Sequence, residues 1–419
     1  MKKSILIIFL VLAILKSQAQ DYLISFAGTG ETNVVDTVKI DNLSSGATVT
    51  LNGGDTLHLI EAVGIGNPDN NNRTLQIYPN PMTEQSMLTF VTPGNGSAVI
   101  CISDLSGKPV YQISSILSSG KHSFRVHGLN QGMYFVKVTG KNYNYSAKLI
   151  SLCKLQSNAG IEYVSSLKNT TSSLLKSTAA TIDMPYTTGD QLLYKGISGI
   201  YSTLVPDVPT SSKTITFNFV TCTDNDGNNY TIVEIGVQTW MAENLNVGVR
   251  INGIQNQTNN GIIEKYCHSD DVNNCTTYGG LYQWDEMMQY VTTQGAKGIC
   301  PDGWHLPSDA EWTTLTDYLG GELVAGGKMK STGTMQAGTG LWNTPNAGAT
   351  NSSGFTGLPG GYRDIYGAFY YLGNNGLFWS SSQFDVTYTW FRDLYCYNPS
   401  VHRDYTYKAD GYSARCLQD

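Results

Sequence analysis

CPDGWHLPSDAEW, residues 300–312, is the stretch that decides how the C-terminal half folds. Ser308 and Glu311 stand at the S-x-x-E spacing of a capping box. In that motif the serine hydroxyl accepts from the N3 amide, and the N3 carboxylate reaches back to the N-cap amide. A helix is therefore expected from Asp309, with Pro307 setting its approach. Trp312, Leu315 and Leu319 then share one face, and Gly320-Gly321 ends the helix. Upstream, Trp284, Met287, Met288 and Val291 also stand at helical spacing. TIVEI and VQTWM read as a hairpin turning at Gly236. GYSARC, residues 411–416, brings a cysteine back near the end of the sequence.

The eight cysteines are unevenly placed. Cys222, Cys267, Cys275, Cys300, Cys396 and Cys416 lie in the C-terminal half, with only Cys101 and Cys153 before them. In an exported chain such a cluster reads as a disulfide framework, although spacing does not choose the pairing. Cys267 with Cys275 is a reasonable local pair. No CxxC or Cys/His pair has zinc-ligand spacing, so no metal and no cofactor is expected.

Export is argued from the beginning of the chain. Lys2 and Lys3 precede an apolar run over residues 5–15, and Ser17-Gln18-Ala19 supplies small residues for cleavage before Gln20. Residues 1–19 are thus expected to be a signal peptide. No later run approaches the length of a spanning helix. Without Lys2, Lys3 and Lys16 the net charge of −7 becomes −10, which argues against nucleic acid or an anionic membrane as partner.

Forty-four glycines, 14% charged residues and 26 tyrosines against 12 phenylalanines point to a mainly β, multi-domain chain. Residues 20–70 are β-rich, with TVKI (37–40), ATVTL (47–51) and DTLHLI (55–60) alternating apolar and polar. Residues 67–73 form a polar linker. Residues 75–152 hold a second set of alternating strands, with turns at Pro93-Gly94, Ser106-Gly107 and Gly132. Residues 153–220 combine a Ser/Thr-rich linker (165–181) with strands at 190–196, 201–205 and 213–220. GGDTLHL near Gly53 and TGDQLLY near Gly189 share a Gly-Asp-x-Leu core. Either a weak repeat or two halves of one sandwich, with the 75–152 module between them, would explain it.

LQIYPNP (75–81), ICISDLSGKPVYQ (100–112) and HGLNQGMYFVKV (127–138) resemble the type A C-terminal sorting domain of the type IX secretion system of Bacteroidetes. The resemblance implies an immunoglobulin-like sandwich and contact with the export machinery. Because about 270 residues follow, a retained structural module is expected rather than a discarded signal. From residue 221 on, TDNDGNNYTIVEIGVQTWMAENLN (223–246), YGGLYQWDEMM (278–288), GLPGGYRD (357–364) and FWSSS (378–382) join the two motifs quoted first. Together they resemble the Fibrobacter succinogenes major paralogous domain, a secreted bacterial module. That resemblance suggests a Cys300-to-Cys416 clasp between its two signature motifs. GGYR, WSSS and SARC also look like the formylglycine-generating-enzyme type of fold, implying an α+β, C-type-lectin-like domain with disulfides over 221–419.

Asp224-x-Asp226-Gly227-Asn228 echoes part of a calcium loop, but Val233 stands where the glutamate ligand belongs. The tripeptides with which C-type lectins chelate calcium are absent, and Trp342-Asn343-Thr344 lacks the carboxylate. Ser380, Ser381 and Ser382 lack a nucleophile elbow, and His268, His305 and His402 are scattered. Neither catalysis nor a catalytic residue is expected, the rival being an enzyme on the formylglycine-generating type of scaffold. The remaining signal is aromatic: sixteen rings lie between Tyr362 and Tyr412. Tyr388 and Trp390 would share one strand face, and Tyr395 and Tyr397 another. Rings of this kind stack on sugar faces or fill β cores. The expected partner is a glycan or a cell-surface protein, in an adhesive or structural envelope role, outside the cell or on its surface.

Overall fold

The computed structural model describes residues 21–61, 75–92, 96–117, 120–140, 143–153, 159–164 and 179–419. The expected signal peptide, the 67–73 linker, the Pro93-Gly94 turn and most of the Ser/Thr-rich linker lie outside the described residues. Two compact units emerge, one formed by residues 21–61 with 179–419 and the other by residues 75–164.

In the first unit, residues 21–61 and 179–219 build one sandwich. Its smaller sheet runs Thr181–Tyr186, Thr56–Glu61, Tyr22–Gly30, Lys213–Phe219. Tyr22–Gly30 pairs in parallel with Lys213–Phe219, and Thr181–Tyr186 in parallel with Thr56–Glu61. In the other sheet Leu192–Ser198 runs antiparallel to Thr37–Asn42. The alternation in TVKIDN puts Val38 and Ile40 inward, where they meet Ile24, Leu57 and Leu59 from the same half and Met184, Tyr194 and Phe217 from the other. Each half thus leaves an apolar face that only the other covers.

The larger sheet does not stop at the sandwich. Its order is Thr48–Asn52, Thr37–Asn42, Leu192–Ser198, Tyr201–Asp207, Ile232–Ile235, Gln238–Met241, Leu417–Gln418, Trp304–His305. Thr203 pairs in parallel with Ile232, and Leu204 with Val233. Leu193 and Leu204 share a core with Val233, Trp240, Trp312 and Phe355. The expected hairpin is present, turning at Gly236 with φ 66°.

The rest of the C-terminal half is a second mixed sheet with four short helices. The sheet runs Phe369–Tyr370, Tyr362–Arg363, Gly411–Ser413, Asn375–Gln383, Tyr388–Tyr395, Val401–Tyr407. The helices are α1 (Val272–Tyr278), α2 (Trp284–Met287), α3 (Asp309–Tyr318) and α4 (Glu322–Met329). Helix α3 starts as its capping box requires: Ser308 Oγ accepts from the Glu311 amide at 3.3 Å, and Glu311 Oε2 accepts from the Ser308 amide at 2.7 Å. Trp312, Leu315 and Leu319 are buried together. Helix α2 is a single turn, shorter than its apolar spacing suggests. Gln289 and Tyr290 turn left-handed just beyond it, and Val291 is left 46% exposed.

Two disulfides close, Cys267–Cys275 and Cys300–Cys416. The expectation that Cys222 and Cys396 also pair is corrected, because both are free and buried. Cys222 packs with Met241 and Trp304 in one core cluster, whereas Cys396 packs with Trp342 and Phe355 in the other. Burial raises both thiol pKa values, so neither carries appreciable thiolate at neutral pH.

The second unit consists of two four-stranded antiparallel sheets. One runs Tyr143–Ser151, Gly132–Gly140, Gly96–Ser103, Pro109–Leu117, and the other Gly160–Tyr163, Gly120–His127, Gln85–Thr92, Gln76–Tyr78. Ile100, Ile102, Val136 and Val138 of the first meet Leu88, Phe90, Phe124 and Val126 of the second. The Asp104 carboxylate accepts from the Ser106 and Lys108 amides and so closes the Ser106-Gly107 turn, where Gly107 has φ 80°. Among the described residues no helix is long and apolar enough to cross a membrane.

Candidate ligand-binding face

Buried cations fix the second sheet of the C-terminal half. Arg415, from SARC, is fully buried. It donates to Asn244 Oδ1 at 2.8 Å and to the carbonyls of Met241, Phe355 and Thr356, while its guanidinium carbon lies 4.1 Å from the Phe355 ring centre. Burial pulls its pKa down to about 9, so it stays charged at neutral pH. Arg363, from GGYR, donates to the Gly253, Gln255 and Ala409 carbonyls and lies over Tyr266. Lys330 is pulled down to about 8 by burial. Its three contacts, with the carbonyls of Ala347, Tyr395 and Asn398 at 2.8–2.9 Å, use all three protons of an ammonium.

On this frame the last two long strands display a ladder of rings. Tyr388 stands opposite Tyr407, Trp390 opposite Tyr405, and Arg392 opposite Arg403. Directly opposed side chains of an antiparallel pair lie on the same face. Phe384 comes over from the turn and stacks on Tyr405, with centroids 4.1 Å apart and planes 5° from parallel. Trp390 meets Phe384 edge-on at 5.2 Å and Tyr405 at 5.7 Å, and Tyr388 lies 4.7 Å from Tyr407. Phe384, Tyr405 and Tyr407 are 43–47% exposed. The rings therefore pack against one another and still face solvent.

One end of the ladder is clamped by the first residue of α3. Arg403 binds Asp309 through Nε at 3.0 Å to each oxygen and through Nη2 at 2.8 Å. Its guanidinium carbon then lies 3.5 Å from the Trp390 ring centre. Buried Arg392 holds the same carboxylate at 2.7 Å. These partners keep Asp309 below the usual carboxylate range against the upward push of burial.

The other end opens into a polar cleft of about 300 Å3, lined by Gln257, Gln283, Asp285, Tyr290, Tyr407 and Lys408 among others. Gln257 and Gln283 exchange backbone and side-chain hydrogen bonds at 2.6 and 2.9 Å. Buried Glu286 accepts from the Tyr290 hydroxyl at 2.7 Å and from the Glu264 amide at 2.8 Å, and burial raises its pKa. Lys408 donates to Gln383 Oε1 and to the Val386 carbonyl, with its ammonium over Trp284.

Of the residues singled out in the sequence, Tyr388 and Trp390 thus join one cluster. Tyr395 and Tyr397 form a separate edge-on pair at 5.0 Å. Phe384, Arg403, Tyr405 and Tyr407 were not singled out, although the alternation of residues 403, 405 and 407 carries the signal. The calcium-like turn is closed on itself: Asp224 accepts from the Asp226 and Asn228 amides, the Asn228 side chain and the Tyr230 hydroxyl. Ser380, Ser381 and Ser382 are buried. His268 contacts the Tyr370 carbonyl, His305 lies between Glu311 and Asp419, and His402 reaches Asn398, so the three occupy separate places. Among the described residues no group of three or more His, Cys, Asp or Glu is gathered for a metal.

No curated protein matches the chain. The sorting match ties the chain to export and the cell surface, with the export machinery as a partner. The family comparisons coincide with the two regions built above: residues 233–418 match the model of the Fibrobacter succinogenes major domain, and residues 76–152 match that of the secretion system C-terminal sorting domain.

Proposed function

We propose that this is a non-catalytic surface protein whose C-terminal domain binds a glycan on the ladder formed by Phe384, Tyr388, Trp390, Tyr405 and Tyr407. In this reading the sorting module is an immunoglobulin-like sandwich retained as part of the structure, and the C-terminal domain is a C-type-lectin-like scaffold used without calcium. One observation carries the proposal: several large rings stay exposed while their geometry is held by the bidentate Arg403–Asp309 contact. Rings that served only as core would be covered. Rings held in place lose little conformational freedom when a sugar face stacks on them, and the adjacent cleft supplies donors and acceptors for hydroxyls.

The test is a glycan array probed with the full chain, with and without EDTA, followed by Trp390→Ala and Tyr405→Ala. Chelator-resistant binding that each substitution weakens roughly tenfold is the expected result. Absence of any glycan signal, or binding indifferent to both substitutions, would overturn the proposal.

A further inference from the structure

The charges around the ladder and the cleft are arranged in a way that bears on which glycans fit. This step rests on the ladder being a glycan site. Arg403 and Arg392 share Asp309, which raises the pKa of Arg403, whereas burial leaves that of Arg392 lowered, and the Glu322 carboxylate acts favourably on both guanidinium charges. The ammonium of Lys408 is engaged by Gln383 and Val386 and rests over Trp284. These three cations therefore already have internal partners. Against them stand Asp309, Glu322, the exposed Asp285, the exposed Asp385 of the turn that leads into Tyr388, and Glu286 in the cleft wall. Carboxyl groups outnumber cations, and three of them, Asp285, Glu322 and Asp385, are exposed.

We infer that the site takes uncharged glycans and rejects uronate-containing or sulfated ones. An acidic sugar drawn to Arg403 would compete with Asp309 for the guanidinium that clamps Trp390, and one drawn to Lys408 would compete with its two acceptors while passing Asp285. Each route sets like charges together or strips a partly buried charge of its partner. A neutral sugar needs neither, since stacking and hydroxyl hydrogen bonds leave the internal ion pairs in place.

Affinity electrophoresis of the full chain tests this, using gels cast with neutral polysaccharides (β-glucan, mannan, starch) or acidic ones (polygalacturonate, alginate, chondroitin sulfate). Retardation is expected only in the neutral gels, changing less than about twofold between low salt and ~0.5 M NaCl, and lost in Trp390→Ala. Glu322→Lys, a change at an exposed position outside both the ladder and the cleft, is expected to keep neutral retardation and to add retardation in acidic gels. Trp390-dependent retention by acidic polymers, or acidic gels that still pass Glu322→Lys freely, would overturn the charge argument while leaving glycan binding intact. Retention by neither set of gels would overturn the glycan reading itself.

Discussion

Thr203 pairs in parallel with Ile232, and through that pairing a single sheet passes from the split sandwich into the C-terminal domain. Residues 233–418 match a domain family, yet Val233 and Ile235 are covered partly by Leu193 and Leu204 from outside it.

A fragment starting at residue 221 leaves Ile232–Ile235 as an open strand edge beside uncovered Val233 and Ile235. Such a fragment is expected to melt well below the full chain and to self-associate, as thermal unfolding with size-exclusion chromatography would read. A monomeric fragment with the Tm of the full chain would show that the joined sheet adds no stability.

The Cys300–Cys416 disulfide spans 116 residues and ties the start of the α3 motif to the strand that returns beside Trp240. Replacing both cysteines by alanine is expected to cost about 2–4 kcal/mol in urea unfolding, and replacing Cys267 and Cys275 less, because their loop spans 8 residues. Equal losses for the two pairs would contradict the loop-length argument.

Arg415→Met removes a buried guanidinium and leaves the carbonyls of Met241, Phe355 and Thr356 without that donor. A loss of roughly 3 kcal/mol is expected, with Arg415→Lys recovering only part of it, since one ammonium nitrogen cannot reach the acceptors that Nε, Nη1 and Nη2 serve separately. Denaturant titration of the two variants checks the order.

His305 is held between Glu311 at 3.1 Å and Asp419 at 2.7 Å. The Glu311 contact raises the histidine pKa above 6.5 and is the largest cause lowering Glu311 from 4.5 to about 2. The histidine contribution is full below pH 6.5 and fades as pH rises through its raised folded value. The Glu311 contribution is full above pH 4.5 and fades as pH falls toward 2. Both are complete between about pH 4.5 and 6.5. His305→Gln is expected to lose roughly 1 kcal/mol in that window and to converge on the parent at alkaline pH. A difference that does not change between pH 5 and 9 would rule out the ion pair as its source.

Some of this structure could be read one residue at a time. Ser308 and Glu311 announce α3 because a capping box is local, needing only two side chains three positions apart and the amides between them. Alternation marked the strands for the same reason, since in-and-out burial follows from the pleat. The helix read in Trp284 to Val291 is present but stops after one turn, because Trp284, Met287 and Met288 are apolar for the sake of a tertiary core that one turn suffices to reach. Tyr388 and Trp390 were visible as a pair on one strand. Their neighbours Tyr405, Tyr407 and Arg403 come from the next strand, and Asp309 from a helix about eighty residues earlier.

By itself, then, the sequence determined the mainly β character, the start of α3, the hairpin at Gly236 and the likeness of two regions to known domains. Tertiary structure decided that residues 21–61 and 179–219 share one core, that the larger sheet crosses at Thr203 and Ile232, that Cys222 and Cys396 stay apart, and that five rings meet at one clamped face. The reason is physical. Periodicity records which face of an element is buried and carries no record of which distant element buries it, so partners separated by a hundred residues are chosen only when the chain closes on itself.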